Sequence, residues 1–130
     1  TFVQSERDQL LERLERYLKT SDGKMTRDRY LKMCEQLGKD PDPKEIPPDM
    51  EDFPEIAVLA MTTFSHLGDR VYPDIGYMGK DFTNLPYYIE QYGIEDQQLF
   101  LEILTYLESR AIENSQEALK RERDKLKRKK

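Results

Sequence analysis

Asp69-Arg70-Val71-Tyr72-Pro73-Asp74-Ile75-Gly76-Tyr77-Met78-Gly79-Lys80-Asp81-Phe82 separates two helix-patterned segments, and whether it forms regular structure decides the fold class. Glycine and proline punctuate the run as far as Asn84, so it cannot be continuous helix. Yet Val71, Tyr72, Ile75, Tyr77, Met78 and Phe82 are large and apolar. A solvated linker has no use for six such residues, whereas a packed loop or a binding surface does. With this stretch read as a connector, every regular element left is a helix, and the predicted class is all-α.

Upstream, Ile56-Ala57-Val58-Leu59-Ala60-Met61 through Phe64 and Leu67 is apolar on nearly every side, which predicts a buried, central helix ending at Gly68. Asp52 and Glu55 are spaced as a capping box for it, with Pro54 in the first turn. Before it, five of the seven prolines fall between Lys39 and Pro54, so this second connector is extended, pinned by Ile46, Met50 and Phe53. Leu10, Leu11, Leu14, Tyr17 and Leu18 form one stripe of a first helix, Ser5 to Lys19, and Thr20 to Lys24 supply turn residues around Gly23. Thr26 is a good N-cap for a second helix carrying Tyr30, Leu31, Cys34 and Leu37, with Met25 and Tyr30 spaced as a hydrophobic staple and Gly38 as the stop. The first two helices are expected to form an αα-hairpin.

Downstream, Asn84 is placed to cap a short helix from Leu85 to Tyr92 that stops at Gly93. Asp96 is placed to cap a fifth, with Leu99, Phe100, Ile103, Leu104, Leu107, Ala111 and Ile112 in its stripe. Beyond Asn114 the apolar stripe thins amid Lys120, Arg121, Arg123, Lys125, Lys127, Arg128, Lys129 and Lys130, which predicts a solvated extension fraying at its end. The expected architecture is a compact bundle of about five helices, with two long proline- and glycine-containing connectors and an extended basic C-terminal helix. Residues 1–112 would form an acidic helical domain and residues 113–130 a basic, partly solvated helical extension.

The bulk composition agrees with a modest core. The chain's 37% hydrophobic content lies below the usual ~45–50%, and its 36% charged content above the usual ~25%. Residues 1–108 hold 12 Lys/Arg against 22 Asp/Glu, a balance of −10, while 109–130 hold 9 against 4, a balance of +5. An acidic body thus carries a basic tail. No apolar run approaches the ~18 residues of a membrane span, and Thr1 to Lys19 lacks the apolar stretch of a signal peptide. Cys34 is the one cysteine, which rules out an internal disulfide, fits a reducing cytosol and reads as a small core residue.

The patterns that would carry chemistry fail on inspection. Gly76 and Gly79-Lys80 have two residues between the glycines where a phosphate loop needs four, and Asp81 stands where Ser/Thr is required. Asp40-Pro41-Asp42 begins like a calcium loop, but Lys44 takes a ligand position and prolines block the turn. His66 is the one histidine, too few for a structural zinc site. A nucleophilic pair of Cys34 and His66 depends on proximity that sequence does not give. Neither cofactor nor metal is expected, and the chain reads as a binding protein, not an enzyme.

Arg29-Tyr30-Leu31-Lys32-Met33-Cys34-Glu35-Gln36-Leu37-Gly38, then Pro41, Pro43, Glu45, Ile46, Pro47 and Asp52-Phe53-Pro54, resembles small proteins encoded by tailed bacteriophages. So does Tyr72 through Pro86, and Gly79-x-Asp81-Phe82-x-x-Leu85 is similar to a Gly-x-Asp-aromatic-x-x-Leu element in proteins encoded near phage tail assembly chaperones. The resemblance spans most of residues 26–125. It implies an assembly factor in the host cell cytoplasm, one that coats the tape-measure protein, keeps it soluble and recruits tail-tube subunits. It implies no catalytic residue. No frameshift product boundary is visible, so another morphogenesis role, or a place in the virion, stays open.

A long apolar client needs exposed apolar surface on a charged, soluble molecule. The expected contact residues are Val71, Tyr72, Ile75, Tyr77, Met78 and Phe82, with Phe100 on the apolar face of helix five. Other phage proteins, tape-measure or tail-tube, are the expected partners, with self-association open and no membrane. The alternative is a nucleic-acid-associated phage factor, for packaging or DNA binding, that uses Lys120, Arg121, Arg123, Lys125, Lys127 and Arg128 on phosphates. Against it, the acidic body repels a phosphate backbone, and no aromatic residue follows Tyr106 to stack on bases.

Overall fold

A short aromatic and β-branched run, folded back by Pro73-Asp74, turns the expected connector into a β-hairpin. In the computed structural model, which describes residues 3–22 and 25–128 (Ser21 and Asp22 by backbone alone), strand β1 is Asp69–Tyr72 and β2 is Gly76–Lys80. They pair antiparallel with Asp69 opposite Lys80, Val71 opposite Tyr77 and Tyr72 opposite Gly76, and an irregularity between Asp69 and Val71. The Ile75 N–H closes the turn on the Tyr72 carbonyl at 3.2 Å. Val and Tyr suit a pleated surface, and Pro-Asp suits a turn. The protein is therefore mostly helical but not all-α, which corrects the class predicted from helix periodicity.

The chain divides into two compact units, Thr1–Glu55 and Ile56–Lys130. The expected 1–112 domain spans parts of both, and α5 (Gln97–Arg128) runs unbroken through residues 112 and 113.

In the first unit, α1 is Gln4–Asp22 and α2 is Arg27–Leu37. Leu10 and Leu14 are buried on α1. Thr20 is helical where a turn was expected, its hydroxyl donating back to the Arg16 and Tyr17 carbonyls; Gly23 and Lys24, the rest of that turn, lie outside the described residues. Thr26 accepts the Arg29 N–H at 3.3 Å, capping α2, and Gly38 ends it at φ +68. Cys34 is buried, but Leu31, Met33 and Leu37 are exposed, so the α2 stripe is narrower than its sequence suggests.

The proline segment is pinned by arginines more than by apolar side chains. Arg16 donates to the Lys44 and Ile46 carbonyls, Arg13 to the Asp52 carbonyl, and Arg27 to the Pro47 carbonyl. Prolines remove N–H donors, and this leaves carbonyls for guanidinium groups to satisfy. Pro47, Pro48 and Phe53 are buried, Phe53 edge-on to Tyr17 at 5.4 Å, whereas Met50 is exposed. Asp52 does not cap α3. Its carboxylate accepts the Asp49 N–H, completing a capping box on the 3-10 turn Met50–Asp52, and pairs with Arg27.

In the second unit, α3 (Glu55–His66) buries only the Ala57, Ala60 and Thr63 line, with Ile56, Val58, Leu59, Met61 and Phe64 partly exposed. The deepest burial lies instead on one face of the first half of α5, where Leu99, Phe100, Ile103 and Leu104 are fully inside while Leu101 is exposed. Asp96 caps α5 as expected, accepting the Leu99 N–H at 3.1 Å. Helix α4 (Leu85–Tyr92) ends at Gly93, φ +61, but the Asn84 side chain makes no capping bond. No described helix is long and apolar enough to cross a membrane.

Candidate functional site

Local chemistry on the inner strand fixes the hairpin against α5. β1 is exposed along its whole length, whereas on β2 Gly76 and Tyr77 are part-buried, Met78 is exposed, and Gly79 and Lys80 are buried. Gly79 has φ +113, and a Cβ there would stand 2.7 Å from a Glu108 carboxylate oxygen. That oxygen accepts the Lys80 N–H at 2.8 Å. Gly76 has φ +92, and a Cβ there would stand 2.8 Å from Leu119 Cδ1. Glycine thus serves twice, for backbone geometry and for close approach to α5.

Lys80 then locks the base of the hairpin. Only 8% exposed, its ammonium donates to the Leu67 carbonyl at 3.2 Å, pairs with Asp69 at 2.8 Å and lies 4.6 Å above the Phe64 ring. A buried ammonium needs this set of partners. The Asp81 N–H closes on the Gly68 carbonyl at 2.7 Å, and Arg70 donates to the Met78 carbonyl at 3.0 Å. Thr83 donates to Asp81 from both its hydroxyl and its N–H, which holds that carboxyl below the ordinary range.

With its base and inner strand fixed, the hairpin holds its outer side chains in water. Val71 is 64% exposed, Tyr72 51%, Ile75 59% and Met78 38%. Comparison with known families, curated proteins and solved structures gave no match. The site therefore stands on its own geometry.

Of the seven expected contact residues, four, Val71, Tyr72, Ile75 and Met78, are exposed on the hairpin. Tyr77 and Phe82 are partly buried. The Tyr77 hydroxyl is buried without a hydrogen-bond partner, and burial first, then the nearby Asp69 and Glu108 charges, push its pKa up. Phe100 is fully buried and leaves the contact set, because the apolar face of α5 over residues 99–107 is core and not groove.

The six expected basic residues are all exposed on α5. At ~100° per residue they fall on two faces. Lys120, Arg123 and Lys127 line a groove of about 590 Å³ beside the hairpin turn, with Ile75 and Leu119. Arg121, Lys125 and Arg128 face away, and Arg121 pairs with Glu117 at 3.8 Å.

Sequence reasoning missed a second aromatic cluster. Tyr87 and Tyr88 meet edge-on at 5.4 Å, Tyr88 lies 6.2 Å from Tyr92, and His66 stacks on Tyr88 at 6.3 Å. Tyr87 is exposed. The spacing Tyr88-x-x-x-Tyr92 was the available signal, since residues four apart share a helix face. His66 and Cys34 lie in different units. In the first unit, a groove of about 630 Å³ is lined by Arg13, Arg16 and Arg27. Their guanidinium groups hold the backbone carbonyls described above, a structural use.

Proposed function

We propose that this chain is a non-catalytic assembly factor of a tailed bacteriophage, acting in the host cell cytoplasm by binding other phage proteins. Its client is the tape-measure protein, with tail-tube subunits as the further partner. The observation that carries the binding role is the hairpin: four large apolar side chains stay in water on a backbone pinned by Lys80, Glu108 and two glycines. Leaving four large apolar side chains in water on one short hairpin has no folding benefit, and exposed apolar surface of this kind supports an interaction role. The resemblance of most of residues 26–125 to small tailed-phage proteins, and of Gly79-x-Asp81-Phe82-x-x-Leu85 to an element in proteins encoded near tail assembly chaperones, supports the choice of client. The strongly charged remainder supports a chaperone role, since it keeps a complex with an apolar client in solution.

Co-expression with a tape-measure fragment tests the proposal. The fragment is expected to stay soluble and co-purify with the chain. A fragment that precipitates equally with and without the chain contradicts it. The nucleic-acid alternative predicts instead a salt-sensitive gel shift that vanishes on removal of residues 120–130.

A further inference from the structure

The two faces of the basic α5 segment are not equivalent. Gly76 sits so close to Leu119 that the hairpin turn and the second half of α5 form the walls of one groove. Lys120, Arg123 and Lys127 line its helical wall beside Leu119, and Leu126, seven residues on from Leu119, continues the apolar line on α5 just beyond the lining. Leu126 is exposed, as is Ile75 across the groove. Among the described residues none of the three cations is in an ion pair. Residues seven apart are two helical turns apart, the repeat by which one helix packs lengthwise on another.

We propose that this groove is the docking site for an acidic amphipathic helix of a partner protein. Its apolar stripe would lie on Ile75, Leu119 and Leu126, and its flanking carboxylates on Lys120, Arg123 and Lys127. This deepens the assembly reading and rests on it, naming the chemistry of the segment recognised. Nucleic acid fits the groove less well. Asp74 and Asp124 line it too and would face phosphates, and the apolar wall would find nothing to bury. A protein helix meets both, because basic residues among its carboxylates pair with the two aspartates.

A designed peptide of about three heptads, with Leu at the core positions and Glu flanking them, tests the site on the full chain. Binding is expected, weakened about tenfold or more by K120E/R123E/K127E and by high salt, and similarly by I75S/L126S. The same peptide with Lys in place of Glu is expected to bind about tenfold more weakly or not at all. All five positions are exposed, and far-UV circular dichroism checks that the helices persist. Equal binding of the two peptides overturns the site. So does a preference for duplex DNA lost in the triple charge variant, or self-association lost in that variant. Capture of a tape-measure fragment separates the two levels. A triple variant that still captures it overturns the groove and leaves the assembly function standing. Peptide binding without capture of the fragment by the wild-type chain leaves the groove and overturns that function.

Discussion

Glu108 accepts the backbone N–H of Lys80 at 2.8 Å, tying the inner strand of the hairpin to the middle of α5 across 28 positions of sequence. The N–H is partly buried, so losing its acceptor costs its desolvation. Glu108→Ala is expected to destabilise the chain by about 1–3 kcal/mol, and Glu108→Gln, which keeps an acceptor oxygen, by less than half of that. Urea unfolding measures the difference. Hydrogen exchange at the Lys80 amide should speed up in the alanine variant alone.

The two hairpin glycines should differ in their tolerance of a methyl group. At Gly79 the Cβ would displace the carboxylate that holds Lys80, at a φ of +113 that side chains rarely adopt. At Gly76 the obstacle is the end of the Leu119 side chain, which can turn aside. Gly79→Ala is expected to cost about 2–3 kcal/mol and Gly76→Ala about 1–2 kcal/mol. Thermal melts that reverse this order would contradict the seating described.

Tyr77 hides a hydroxyl that has no partner. Removing the oxygen and keeping the ring removes a desolvation penalty, so Tyr77→Phe is expected to be neutral or stabilising by up to about 1–2 kcal/mol. A melting temperature well below wild type would mean that the hydroxyl is satisfied.

Asp52 offers a pH-dependent test in the first unit. Its carboxyl lies below the ordinary range, chiefly because it accepts the Asp49 N–H and then because Arg27 stands beside it. A depressed carboxyl contributes stability that is present above its unfolded pKa of ~3.9 and is lost as pH falls through the lower folded value. Asp52→Asn is therefore expected to cost about 1 kcal/mol at neutral pH, on the scale of a capping interaction. The gap to wild type should close below about pH 4. A gap unchanged in acid would remove the carboxylate from the account.

Much of the helical framework was legible from residue types that act locally. Thr26, Gly38, Gly93 and Asp96 bound their helices as expected, because a cap or a left-handed stop depends on the residue itself. The hairpin was not legible as strand. Val71, Tyr72 and Tyr77 carried the β signal, but Pro73, Gly76 and Gly79 break the run into pieces too short for periodicity, and pairing depends on seating against α5. The apolar surplus of α3 misled for a related reason. Which face is buried depends on what packs on it, and the small residues Ala57 and Ala60 mark that face, not the larger Val58 and Leu59. Of the exposed hairpin side chains, Val71, Tyr72, Ile75 and Met78 could be picked out as large apolar residues in a punctuated stretch. Phe100 could not be told from core, because one helix stripe reads the same whether it faces a partner or the interior.

The claim on which the rest depends is that the outer side chains of a firmly seated hairpin carry the partner contact. Tyr72 and Ile75 have most of their surface in water, so replacing both with Ser leaves the fold intact. The most direct measurement is the dissociation constant of a tape-measure fragment for wild type and for the Tyr72→Ser/Ile75→Ser variant, with melting temperatures compared in parallel. A loss of about tenfold to a hundredfold in affinity at matched stability is the predicted result. Equal affinity for the two proteins would contradict it.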